Sequence, residues 1–126
     1  MSDRLLLDTH AFLWWKENNP RLVLAAREAI SKADVVFVSA ASAWEVSIKS
    51  ALGRVRLPAP FADGVNESGF IELPVEFSHA AAVELLPMHH ADPFDRMLIA
   101  QSTVERLVIV SHDRALEPYG RPVIWT

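Results

Sequence analysis

The sequence predicts an α/β fold, a three-layer α/β/α domain built on a mostly parallel central sheet. Three observations carry that expectation. Short apolar runs at residues 5–7, 35–38, 71–73 and 107–110 read as strands, most of them apolar enough to be covered on both faces. Segments with helical spacing of apolar residues separate them. The chain has 126 residues, 51% hydrophobic and 22% charged, which suits one domain over residues 1–126 with a real core.

Each element has its own signal. Leu5-Leu6-Leu7 is a buried strand stopped by Asp8-Thr9, and residues 11–16 begin the first helix, ending near Asn18-Asn19-Pro20. Leu22, Ala25, Ala26, Ala29 and Ile30 set a helix over residues 21–32. Val35-Val36-Phe37-Val38 is β-branched and bounded like a parallel strand, and a strong helix follows over residues 39–52, with Gly53 as its stop. Residues 54–69 are irregular, broken by Pro58, Pro60, Gly64 and Gly69, with a short helix at 61–66. Residues 71–73 form a strand, and Ser78 caps a helix to residue 86. Asp92-Pro93 opens a helix to residue 105, with proline at the favoured first position. A strand at 107–110 ends in Ser111-His112-Asp113, and residues 123–125 form a last short strand.

Bulk properties exclude several classes. The absence of cysteine removes disulfide scaffolds and thiolate metal sites, and it suits a reducing cytoplasm. Met1-Ser2-Asp3-Arg4 runs directly into a short apolar segment without a signal-peptide pattern. No apolar stretch approaches the roughly 20 residues of a membrane span, so a cytoplasmic protein is expected. A net charge of −4 argues against holding nucleic acid by bulk electrostatics alone. There is no glycine-rich phosphate loop, no GxSxG and no nucleophilic triad.

Chemistry belongs outside the carboxyl ends of the strands in an open parallel sheet. Asp8 and Asp113 follow two such strands, Glu45 lies in the helix after a third, and Asp95 sits in the first turn after Asp92-Pro93. Carboxylates gathered in one cleft repel one another, and a divalent cation removes that penalty. Oxygen ligands without cysteine favour Mg²⁺ or Mn²⁺, which can polarise a phosphoryl oxygen and activate water. Each acid also has an ordinary reading. Asp8, Asp92 and Asp113 suit helix caps, Asp95 suits a capping box, and Glu45 suits a solvated helix face. The five histidines show no zinc spacing, and His89-His90 are expected on a loop surface. Trp14, Trp15 and Trp44 read as core or partner-contact residues.

The stretch Leu5-Leu6-Leu7-Asp8-Thr9-His10-Ala11-Phe12-Leu13-Trp14 resembles the opening of PIN-domain nucleases, in particular the VapC-like toxin branch. Ser42-Ala43-Trp44-Glu45-Val46-Ser47-Ile48-Lys49 resembles the second acidic motif of that family, and residues 90–101, with Asp92-Pro93-Phe94-Asp95-Arg96, resemble the third. Val110-Ser111-His112-Asp113 resembles the fourth. The resemblance implies a PIN-like α/β sandwich and Mg²⁺- or Mn²⁺-dependent cleavage of RNA. By position it makes Asp8, Glu45 and Asp95 the metal-binding core, with Asp113 completing the pocket directly or through water. Asp92 is an extra acid of this branch, and Ser111 would orient the pocket. Arg96 and Lys49 would contact phosphate, although Lys49 lies one turn from Glu45 and is also placed to pair with it.

The resemblance further implies a cognate antitoxin whose C-terminal segment crosses the active-site groove, and frequent homodimers. Residues 12–15 and 54–69 are the candidates for those contacts. Two other readings stand beside the toxin: a stand-alone PIN nuclease in RNA processing or on DNA, and a receiver-like signalling module phosphorylated on Asp8 or Asp113. The last expects paired acids after the first strand and a late lysine. Here Thr9-His10 follow Asp8, and no lysine lies beyond Lys49.

Overall fold

The computed structural model describes residues 3–126. Five strands form one sheet: β1 Arg4–Leu7, β2 Val35–Ser39, β3 Ile71–Leu73, β4 Val108–Ser111 and β5 Val123–Trp125. Helices fill the connections: α1 Thr9–Glu17, α2 Leu24–Lys32, α3 Ala40–Ala51, α4 Phe61–Glu67, α5 Phe77–Glu84 and α6 Pro93–Glu105. A 3-10 helix, Arg114–Tyr119, joins the last two strands. The order across the sheet is β3-β2-β1-β4-β5, and every pairing is parallel.

Leu5, Leu6 and Leu7 are all at most 1% exposed, which consecutive strand residues achieve only where both faces are covered. Leu5, Leu7, Val36, Val38 and Val110 point to one face, against Phe12 and Trp14 of α1, Ala26 and Ile30 of α2, and Val65 of α4. Leu6 points to the other, with Leu98 of α6, and Ile109 packs on Ile99 of the same helix and on Leu116. At roughly 1.5–3 kcal/mol for each fully buried leucine or isoleucine, these two layers are the main stabilising feature.

Most helix boundaries follow from their caps. Gly53 ends α3 with φ +73°, as its place in the sequence predicts. Two starts differ from expectation. Helix α2 begins at Leu24 rather than residue 21, because the Asn19 side chain accepts from Arg21 N (2.9 Å) and the Thr126 hydroxyl accepts from Val23 N (2.8 Å). Helix α5 begins at Phe77, inside which Ser78 is already helical. Its cap position is Glu76, whose backbone N–H donates to His79 Nδ1 at 3.0 Å.

The sheet order decides where a site forms. From β1 the chain moves to β2 on one side and later returns to β4 on the other. The crevice between β1 and β4 is therefore a switch point, where open α/β sheets bind ligands at the carboxyl ends of the strands.

Candidate active site

Asp8 leaves β1 at that crevice and is 4% exposed. One carboxylate oxygen caps α1, accepting from Ala11 N at 2.7 Å. The other accepts from the Ser111 hydroxyl at the end of β4, at 2.6 Å. The Ser111 oxygen in turn accepts from Asp113 N at 3.0 Å. Ser111 thus ties the ends of the two central strands together. Asp113 repeats the division seen at Asp8. Its Oδ1 caps the 3-10 helix through Ala115 N (2.9 Å), and its Oδ2 lies 3.7 Å from His90 Nε2. Capping and site roles are therefore compatible, because each carboxylate has two oxygens.

Glu45 is 7% exposed on α3. Its Oε1 accepts from the Thr9 hydroxyl at 2.7 Å, which joins it to the residue beside Asp8, and its Oε2 accepts from Lys49 Nζ at 2.6 Å. The pairing of Lys49 with Glu45, one of its two expected roles, is the one seen. Asp92 acts as the N-cap of α6, its Oδ1 accepting from Phe94 N (2.8 Å) and Asp95 N (3.1 Å).

Asp95, in the first turn of α6, receives the convergence. Burial pushes its carboxyl from an ordinary 3.8 up to about 6, against a hydrogen bond from His90 that lowers it. The charges of Asp92, Asp8 and Asp113 push it further in the upward direction. Asp8 also raises the pKa of His112, whose Nδ1 lies 3.8 Å from its carboxylate, with Asp113 and Asp95 adding to the effect and burial opposing it. Crowded carboxylates, one of them held toward its protonated form, are the donor set a hard divalent cation relieves, and no cysteine competes for it. The residues fit such an ion.

Three expectations are corrected. Arg96 does not face phosphate: it is buried, and its guanidinium donates to the carbonyl oxygens of Pro87 (2.9 Å) and Val83 (3.2 Å) and to the Tyr119 hydroxyl (3.1 Å). A charge buried this far needs partners on every face, and the end of α5, the loop after it and the 3-10 helix supply them. Within residues 12–15, Phe12 and Trp14 belong to the core under β1 and are not free for contact, while Leu13 and Trp15 are half-buried. His90 is not a bystander on a loop: its Nε2 lies 2.8 Å from Asp95 Oδ2.

His90, His112 and Thr9 are the site residues that sequence reasoning missed. The only signal for them was adjacency to an acid in sequence, at Thr9 and His112. His112 also packs on His10 and Trp14, with ring centroids 4.9 Å from each.

Comparison with known proteins places this geometry. The PIN domain family model matches residues 5–121. Ribonuclease VapC22 of Mycobacterium tuberculosis is 30% identical over 121 residues, covering 94% of this chain and 93% of that protein. Among solved structures, VapBC2 from Rickettsia felis bound to a promoter DNA fragment matches with TM-score 0.70 at 7% identity, over 96% of this chain and 97% of that one. DNA-bound VapBC from Salmonella typhimurium matches with TM-score 0.68 at 16% identity, over 98% of both chains. FitAcB from Neisseria gonorrhoeae matches with TM-score 0.63 at 17% identity, over 95% of this chain and 96% of that one. At such identities the structures speak for the fold, while the family model and the ribonuclease relative speak for descent. With its acids gathered where β1 and β4 part, the chain belongs to the PIN-domain family, in the VapC-like branch.

Proposed function

We propose that this chain is a VapC-type endoribonuclease, the toxin of a toxin–antitoxin pair, forming one nuclease domain over residues 1–126. In this reading Asp8, Glu45, Asp95 and Asp113 hold a divalent cation, Mg²⁺ or Mn²⁺, and RNA phosphodiesters are hydrolysed there. The observation that carries it is the meeting of Asp8, Asp95 and Asp113 at the β1–β4 switch point, with Glu45 joined through Thr9, in a relative of Ribonuclease VapC22.

When bound, the cation polarises the phosphoryl group and lowers the pKa of a coordinated water. The protein's own part is preorganisation. Ser111 and the α1 N-terminus fix both oxygens of Asp8, and Thr9 and Lys49 fix both oxygens of Glu45. Carboxylates held this way need no reorganisation when charge develops on the substrate. Asp95 must give up the proton that burial favours before it can act as an anion.

The VapBC and FitAcB neighbours favour an antitoxin as the partner. A homodimer is part of the reading as well. Trp44, Phe77, Leu85 and Met88 are exposed, and Trp44 and Met88 border a groove of about 630 Å³ between α3, α5 and α6. Exposed large apolar side chains beside a groove suit an interface. Among the described residues no helix is long and apolar enough to cross a membrane, in keeping with action in the cytoplasm.

The test is cleavage of a mixed cellular RNA pool by antitoxin-free protein with Mg²⁺, with Mn²⁺ and with EDTA, beside Asp8→Asn and Asp95→Asn. Metal-dependent cutting that both substitutions abolish supports the reading, and cutting that survives both sinks it. Growth arrest on expression and a short antitoxin gene alongside would separate the toxin from a stand-alone PIN nuclease.

A further inference from the structure

His90 stands out among the residues around the acids because it is held from two sides. Its ring Nε2 lies 2.8 Å from Asp95 Oδ2 and 3.7 Å from Asp113 Oδ2. The three ligand-capable atoms of His90, Asp95 and Asp113 all fall within 4.8 Å of one another. An octahedral ion with bonds of about 2.1 Å places its ligands roughly 3 Å apart when neighbouring and about 4.2 Å apart when opposite. The 2.8 Å and 3.7 Å separations lie in or near that range, and the ion would replace the hydrogen bond that now joins His90 to Asp95.

The backbone of His90 is fixed as well. Its N–H donates to the Tyr119 hydroxyl at 3.1 Å, and the same hydroxyl accepts from Arg96 at 3.1 Å. Arg96 is anchored in turn on the carbonyl oxygens of Val83 and Pro87. A surface histidine that merely fell near an acid would need no such support. Metal-bound imidazoles and carboxylates are characteristically held by a surrounding layer of hydrogen bonds.

We propose that His90 is a protein ligand of the divalent cation, its Nε2 completing a mixed nitrogen–oxygen set with Asp95 and Asp113 that favours Mn²⁺ over Mg²⁺. Mn²⁺, a transition ion, accepts an imidazole nitrogen more readily than Mg²⁺, which prefers oxygen and keeps its water. The inference rests on the metal-dependent reading above, and it adds to that reading a ligand and a preference between the two ions. Arg96 and Tyr119 act through His90 and are positioning residues.

The experiment uses the full chain and Mn²⁺ alone as the probe. Affinity is read from the free-ion electron paramagnetic resonance signal, and nitrogen ligation from electron spin-echo modulation by ¹⁴N. Competition by Mg²⁺ gives the preference. The variants are His90→Ala and His90→Gln, the second keeping a hydrogen-bonding side chain against Asp95 without an imidazole. Circular dichroism confirms that each is folded.

The expected result is ¹⁴N modulation in the wild type that both variants lose. Mn²⁺ affinity should fall about tenfold or more, with a smaller loss for Mg²⁺. Mn²⁺ bound without nitrogen modulation in the wild type overturns the proposal and leaves the carboxylate site intact. Modulation that survives both variants also overturns it, and assigns the nitrogen to another histidine. Absence of any Mn²⁺ or Mg²⁺ binding removes the metal-dependent reading itself.

Discussion

Asp95 is pulled in opposite directions by the fold and by the chemistry proposed for it. Its folded pKa of about 6 exceeds the ordinary 3.8, so the native state keeps the proton longer than the unfolded chain does. The stability this provides is present below about pH 4 and is lost as pH rises through 6, a penalty of roughly 3 kcal/mol by pH 7.5 in the metal-free protein. Asp95→Asn removes the titration. In urea with EDTA, its stability relative to wild type should therefore improve between pH 4.5 and pH 7.5, and an unchanged difference would contradict the pKa. His112, also raised, shifts stability the same way in a higher window, present below about 6.5 and lost above, and the paired comparison removes most of that contribution because Asp95 is the smallest of the charges acting on His112. Ser111→Ala leaves the buried Asp8 oxygen without its hydroxyl donor and should cost about 1–3 kcal/mol in the same assay. The acids could be read from the sequence because they follow apolar runs and stand in recognisable motifs. His90 could not, since its place depends on a loop held from 6 and 29 residues further along the chain, by Arg96 and Tyr119.

At the scale of elements, the caps explain what was legible. Asp8, Asp92 and Ser39 each accept from the backbone of the helix they precede, and those helices start within two residues of where the sequence places them. Helix α2 was misplaced because its first turn is replaced by contacts with Asn19 and with Thr126 across the sheet, and no local pattern announces a partner 103 residues away. The packing of α5 on α6 includes polar ties from His79 to Glu105 at 2.9 Å and to Gln101 at 3.3 Å, and from Arg96 to the carbonyl oxygens of Val83 and Pro87. Arg96→Lys keeps the charge but cannot reproduce the planar fork of donors. It should cost about 2 kcal/mol in denaturant unfolding and weaken cleavage through the loop that carries His90. Were Arg96 a phosphate contact instead, the same change would raise the KM for RNA and leave stability alone.

For the molecule as a whole, a mostly parallel sheet covered on both faces was legible from the alternation of strands and helices, and the structure makes every pairing parallel. The apolar face around Trp44 and Met88 was not, because Trp44 is isolated in sequence and joins Met88 only through folding. If that face pairs two copies, Trp44→Glu should convert a dimer to a monomer in sedimentation runs on the free chain. Metal binding should show at the same scale. At about 100 times its Kd, an ion that binds only the folded state adds roughly 2.7 kcal/mol, which should raise Tm by on the order of 10 °C, and Asp8→Asn should abolish the rise.

The position of β1 in the middle of the sheet has a consequence for biosynthesis. The strand made first pairs on one side with β4, so Asp8 and Ser111 meet across 103 residues of chain. Protein emerges from the ribosome N-terminus first, and pairings this distant in sequence form late. Through most of translation the chain carries Asp8 and Glu45 alone, and Asp95 joins them only shortly before the strand that brings Asp113 beside them. A chain stopped before residue 108 should show no amide protection in β1 and cut no RNA. A ribonuclease built this way would then become active only when its own chain is nearly complete.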